Sequence, residues 1–290
     1  MHLTIAELVL HLEDSDCKQS ITFPICHKEF IQPVVLPQAG FLRQPATPVF
    51  GSNGTLYLRL RCGEIPPHPV TDTPLLQTSS WELWRDVDGN MTFVSPSEPP
   101  PSQVTVSPDF NRGEVLVDLS TFSEKTFYPL RNLESRLFSA WLATTGDFIM
   151  HASGVSVDGA GYCFLGDSGA GKSTLAGILA QKPGVTVLGE DQVILRYLAG
   201  RFWIFGTPWH QNPQMCSPLG VPLKKMFFLD RSLPPGTEKL TPMDGVTRLL
   251  QIAIITYHLP QWLPGILDRL SLLADQIPFI NLSYQLGTDP

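Results

Sequence analysis

The octapeptide Gly166-Asp167-Ser168-Gly169-Ala170-Gly171-Lys172-Ser173 constrains this chain more than any other stretch. Before it, Gly161-Tyr162-Cys163-Phe164-Leu165 reads as a short buried strand. After it, Thr174-Leu175-Ala176-Gly177-Ile178-Leu179-Ala180 begins a helix with an apolar stripe. A strand–loop–helix unit follows. The octapeptide fits the phosphate-binding pattern G-x-x-x-x-G-K-[ST]. Its glycines let the backbone curl so that successive N–H groups face one anion. Lys172 then reaches the outer phosphates and the Ser173 hydroxyl can ligate magnesium, with Thr174 completing the binding set. The sequence therefore predicts a nucleoside triphosphate as ligand.

The remaining composition bounds the class. At 290 residues the chain can bury one large core or two smaller ones. A net charge of -7 with 20 scattered Lys and Arg argues against a nucleic-acid partner, which needs clustered cations. No apolar run has the roughly 18 residues a membrane helix requires, so no membrane partner is expected. Residues 1–12 lack the basic lead of a signal peptide. Cys17, Cys26, Cys62, Cys163 and Cys216 contain no C-x-x-C pair, which points to reduced thiols and a cytoplasmic setting. Three N-x-[ST] triplets, at Asn53, Asn90 and Asn281, would matter only in a secreted chain.

The first half is rich in turns and alternating runs such as Thr55-Leu56-Tyr57-Leu58-Arg59-Leu60, the mark of strands. Trp81-Glu82-Leu83-Trp84-Arg85, Asp88-Gly89-Asn90 and Met91-Thr92-Phe93-Val94 predict a hairpin, and residues 96–101 an exposed proline-rich loop. A mostly β amino-terminal domain over residues 1–129 and a nucleotide-binding domain over 130–290 are expected, joined by a helix over about 130–144. The strand entering the octapeptide pairs antiparallel with the strand before it through the turn Asp158-Gly159-Ala160. Beyond the loop helix come a strand at 185–188, a hairpin over 193–205, a strand at 226–229, two helices within 242–274 and a closing strand at 279–286.

Phosphoryl transfer is mostly positioning and charge neutralisation, so it needs a carboxylate for magnesium and a group to take the nucleophile's proton. Glu190 and Asp191 sit at the tip of the strand that follows the loop helix, on the edge of the sheet to which the chain has just returned. Adjacent carboxylates near a dication can divide metal binding from base duty. His151, Lys224 and Lys225 are further candidates, the lysines as cations for the transferring group. His210, Cys216 and His258 show no metal-ligand spacing. Trp203 and Trp209 flank Gly206-Thr207-Pro208, where core packing is the favoured reading.

Over residues 145–232 the chain resembles the HPr kinase/phosphorylase family and its relatives with a phosphoenolpyruvate-carboxykinase type of nucleotide-binding fold. The likeness rests on Met150-His151-Ala152-Ser153-Gly154-Val155, on the hairpin into the octapeptide and on the acidic pair after Val187-Leu188. Gly206-Thr207-Pro208-Trp209 and Pro222-Leu223-Lys224-Lys225-Met226-Phe227-Phe228-Leu229 look more like the divergent HPr-kinase-related proteins, some of which accompany peptide natural-product clusters. The resemblance implies an α/β fold with α+β character, a mixed-sheet P-loop kinase domain using ATP and Mg2+. It implies that Lys172 and Ser173 bind phosphates and metal, that His151 and Glu190 act beside the transferred group, and that Asp191 lies near the metal. It further implies a protein or peptide acceptor with a serine, and a homo-oligomer.

Two departures qualify it. The family has Asp-Asp where this chain has Glu190-Asp191, and the later Glu- and Arg-containing signature of the bifunctional enzymes is absent, which puts phosphorolysis in doubt. Three readings stand at this point: a serine kinase, a small-molecule kinase on the same scaffold, and a nucleotide-sensing or interaction module that transfers nothing.

Overall fold

The computed structural model describes residues 2–14, 17, 19–32, 54–67, 73–97, 99–210, 212–230 and 234–284. The chain divides into two compact units, Met1–Trp141 and Leu142–Pro290. Its fold is mixed α/β with more strand than helix, in sheets that combine parallel and antiparallel pairs.

The first unit is built on a nine-stranded sheet. Alternation produces it: in Thr55–Cys62, Leu56, Leu58 and Leu60 are buried while Tyr57, Arg59 and Arg61 face water. The predicted hairpin is present as Glu82–Arg85 and Met91–Ser95, continued by Ser102–Val106 and Arg112–Val117. Residues 2–12 supply two strands, His2–Ile5 and most of Leu8–Asp14. The helix expected over 130–144 runs over Glu134–Ala143 and buries Leu137, Phe138, Trp141 and Leu142. One sequence expectation is corrected here. Cys17 and Cys62 form a disulfide across 45 residues, so these two thiols are not reduced, whereas Cys26, Cys163 and Cys216 are free and buried. Spacing carried no signal because the partners meet only through the fold. Asn53 and residues 285–286 of the expected closing strand lie outside the described residues, and Asn281 is buried, unsuited to glycan attachment.

The second unit begins with three strands, β1 (Phe148–His151), β2 (Ser153–Val157) and β3 (Ala160–Leu165), followed by helix α1 (Lys172–Leu179). Next come β4 (Val185–Gly189), β5 (Gln192–Leu198), β6 (Arg201–Gly206) and the ten-residue β7 (Gly220–Leu229). The chain closes with β8 (Gly236–Lys239), α2 (Pro242–Ile252), β9 (Ala253–Ile254), α3 (Leu263–Gln276) and β10 (Phe279–Ser283). The sheet order is β4-β2-β3-β7-β6-β5-β1-β9, with β10 beside β7 and β8 beside β10.

As expected, β2 and β3 pair antiparallel. On its other side β3 pairs parallel with β7, which makes the sheet mixed. β7 is longer than the sequence suggested because it serves two neighbours in turn. Its first residues pair with β6, and its later residues lie between β3 and β10. Adjacent residues of β3 face opposite ways. Phe164 joins Val155, Val187 and Leu175 of α1 in one cluster, while Cys163 and Leu165 join Met226, Phe228, Leu249 of α2 and Leu270 and Leu273 of α3 in the other. Each fully buried Leu or Phe contributes about 1.5–3 kcal/mol. The loop after β3 is thereby anchored on a strand held from both faces.

Candidate functional site

The octapeptide leaves the end of β3 and enters α1 as a closed curl. Gly166, Gly169 and Gly171 have φ of 147°, 83° and 95°, backbone conformations that a side chain would strain. Lys172, the first residue of α1, is buried, and its Nζ donates to the carbonyls of Gly166 (2.8 Å) and Asp167 (3.2 Å). The ammonium thus ties the helix start to the loop start. Burial pushes its pKa down, opposed by the charges of Asp191 and Asp167. Tyr284, a residue with no sequence signature, donates from its hydroxyl to Gly171 O at 3.0 Å and braces the loop from outside.

Glu190 and Asp191 form the tight connection between β4 and β5. Their backbone is clamped by the junction of β1 and β2. Ala152 N–H donates to Asp191 O (3.0 Å) and Ser153 Oγ to Glu190 O (2.5 Å), while Ser173 Oγ reaches the same Glu190 carbonyl at 3.4 Å. This clamp follows from register: His151 pairs with Gln192 of β5, and Gly154 with Gly189 of β4, so β1 and β2 grip the two sides of the turn. Gly206 at the end of β6 makes the approach possible, since a Cβ there would strike the carbonyls of Leu188 and Ser217.

The side chains of this turn are much less confined. His151 Nδ1 lies 3.2 Å from Asp191 Oδ1, and the two side chains are 45% and 50% exposed. His151, Asp191, Lys172, Ser173 and Thr174 line, with the loop crest at Ser168 and Gly169, a cavity of about 310 Å³. The Glu190 carboxyl is turned elsewhere, accepting a hydrogen bond from the Asn212 backbone N–H. Its pKa is raised, first by burial and then by the Asp191 charge, against the lowering effect of that hydrogen bond. His210, which sequence reasoning set aside, packs against Gly189, and burial pushes its pKa down to about 4, leaving it neutral at pH 7. Its Nε2 lies 3.1 Å from Thr207 Oγ1, which also donates to Gln192 O.

The structure therefore brings together the loop, His151, Asp191 and Ser173, and sets Glu190 beside them with its carboxyl outside that cavity's lining. Lys224 and Lys225 are exposed on β7 and do not line the cavity. Trp203 is buried and stacks on Phe205, the packing role favoured for it. Within this cavity the Ser173 hydroxyl and the Asp191 carboxylate are hard oxygen donors of the kind that suits magnesium completed by phosphate and water, and His151 adds an imidazole beside them. Among the described residues no group of three or more His, Cys, Asp or Glu is gathered for a metal, and no helix is long and apolar enough to cross a membrane.

No protein-family model matches the chain, and no curated protein matches it. Among solved structures, the HPr(Ser) kinase/phosphatase from Coxiella burnetii superposes with a TM-score of 0.27 and 14% identity, over 49% of this chain and 82% of that one. At that degree of likeness it is the residues of the site, rather than the neighbour, that decide between functions.

Proposed function

We propose that the second unit is an ATP- and magnesium-dependent kinase that transfers the γ-phosphoryl group to a serine hydroxyl of a protein or precursor peptide. One observation carries the reading: a glycine curl closed by a buried lysine faces an acidic turn whose backbone is fixed and whose Asp191 side chain is half-exposed. A structural ion pair has no need of that combination. The loop N–H groups and Lys172 bind the phosphate chain, and Ser173 with Asp191 would hold magnesium. The metal supplies neutralisation of the charge that builds on the phosphate oxygens during transfer.

In the step itself the acceptor oxygen forms its bond to the γ-phosphorus as the bond from that phosphorus to the β-phosphate oxygen breaks. The electron pair leaves with ADP, and the hydroxyl proton passes to Glu190. Raised by burial, the Glu190 pKa lies nearer the operating pH than an ordinary glutamate's, which favours a general base. A second assignment of the proton has its own support, since His151 lines the cavity and Glu190 does not. The two are separable by mutation.

Calorimetry with ATP tests the reading. ATP binds in a magnesium-dependent manner, and Lys172→Ala weakens binding by at least about 100-fold, as loss of a charge-assisted phosphate contact in a partly buried site demands. Absence of ATP binding by the unaltered protein contradicts the proposal. Tight ATP binding without transfer to any acceptor supports a nucleotide sensor, and transfer only to low-molecular-weight compounds supports a small-molecule kinase.

A further inference from the structure

Three successive carbonyls of the acidic turn are held in place. Glu190 O and Asp191 O are gripped by Ser153 and Ala152 at the junction of β1 and β2. Gln192 O accepts from the Thr207 hydroxyl at 2.8 Å, on the side of β6. This third bond is no part of a strand ladder. Pairing of β5 with β6 ends at Val193 and Gly206, so Gln192 and Thr207 lie one step beyond it, and a side chain takes over where the backbone pairing stops.

The local sequence favours that arrangement. Pro208 disfavours helical backbone at Thr207 and keeps it extended in line with β6. Thr207 is 0% exposed, and its one hydroxyl hydrogen goes to Gln192 O. In its 3.1 Å contact with His210 Nε2 the hydrogen therefore sits on the imidazole. His210 donates to Thr207, and Thr207 to the turn. The packing behind the turn is tight, since a Cβ on Gly189 would lie 2.6 Å from Gln192 O and 2.7 Å from His210 Nε2.

The bond ends at a telling place. Asp191 sits between two held carbonyl groups, those of Glu190 and Gln192, and its own is held as well. Its side chain is half-exposed and lines the cavity with Ser173. A half-exposed aspartate has little packing to fix its direction, so the backbone on either side has to supply it. We propose that Thr207, backed by His210, is a positioning residue of the kinase described above: its hydroxyl fixes the Asp191–Gln192 backbone so that the Asp191 carboxylate is aimed at the magnesium it would share with Ser173. The inference rests on the kinase reading. Thr207 does not line the cavity and acts only through the turn.

The test is a titration of Mn2+, followed by electron paramagnetic resonance, into protein saturated with ADP. Thr207→Val keeps the side-chain shape and loses both hydrogen bonds. In this variant Mn2+ binds about 10-fold or more weakly, the loss that follows removal of a group orienting a metal ligand, while ADP affinity without metal is unchanged. Thr207→Ser, which keeps the hydroxyl, restores the parent affinity. A hydroxyl that served stability alone would register in urea unfolding and leave the Mn2+ affinity of the folded protein as it was. Thr207→Ala carries the same expectation should Thr207→Val not fold. Asp191→Ala separates the inference from the reading beneath it. Weakened Mn2+ binding in Asp191→Ala with parent affinity in Thr207→Val, or a loss in Thr207→Val that Thr207→Ser does not restore, overturns the inference alone. Mn2+ affinity untouched by Asp191→Ala, or failure of ADP to bind, overturns the reading and the inference together.

Discussion

Two aspartates of the second unit sit in comparable sequence settings and do opposite things. Asp147 is 2% exposed and fully engaged: it accepts from Arg196 Nε and Thr145 Oγ1, each at 2.9 Å, and from the Tyr197 backbone N–H at 3.1 Å. Asp191 is clamped through its backbone, while its half-exposed side chain lies beside the equally exposed His151. The first is a charge enclosed by the fold. The second is a charge fixed in place with its oxygens turned to solvent and to a cavity. A buried pair must be closed to repay its desolvation, whereas a site that takes a dication or phosphate must leave ligand positions open. Burial and backbone tethering together, rather than charge alone, separate the two aspartates.

The sharpest way to break this contrast is at the proton. If Glu190 is the base, Glu190→Gln lowers the transfer rate by about 10²–10⁴-fold with ATP affinity kept. His151→Gln, by contrast, has the smaller effect. Stopped-flow transfer assays on both variants decide, and the reverse order moves the base to His151.

A second contrast is thermodynamic. Asp147→Ala strands Arg196 without its carboxylate in a site where Arg196 is 10% exposed and destabilises the fold by about 3–5 kcal/mol, measured by urea unfolding. Asp191→Ala stays within about 1 kcal/mol of the parent protein, as for an exposed pair. Equal losses from the two would erase the distinction.

The smallest effect concerns His210, which lies beside the acidic turn yet behaves like a core group. Its folded pKa, about 4, is below the ordinary 6.5, so the unfolded chain binds the proton first. Stability from this residue is complete above pH 6.5 and is lost as the pH falls toward 4, by at most about 3 kcal/mol. His210→Gln flattens that part of the stability profile. An unchanged profile would mean that His210 is not shielded from water.

Much of this was legible in the chain. The strand–loop–helix, the hairpin into the loop and the acidic turn are written in contiguous residues, where glycine placement, periodicity and turn chemistry act locally. What stayed hidden depends on distant partners. Asp147 follows Thr144-Thr145-Gly146 and looks like an ordinary turn acid, because its partner Arg196 is 49 residues away. Tyr284 reaches the loop only after β10 has folded back, and Cys17 finds Cys62 only through the first unit's sheet. β7 was read short because Pro222 and two lysines interrupt its apolar run, yet each half of that strand has its own neighbour to satisfy.

As proposed above, the loop and acidic turn would carry out phosphoryl transfer from ATP to a hydroxyl. Its most direct test is to incubate the protein with γ-labelled ATP, magnesium and a soluble extract of the source cells, with Lys172→Ala as the control. Label on a protein or peptide, stable to acid, lost in alkali and absent with the variant, is the predicted result. Label that never leaves ATP, or that moves equally with Lys172→Ala, would contradict it.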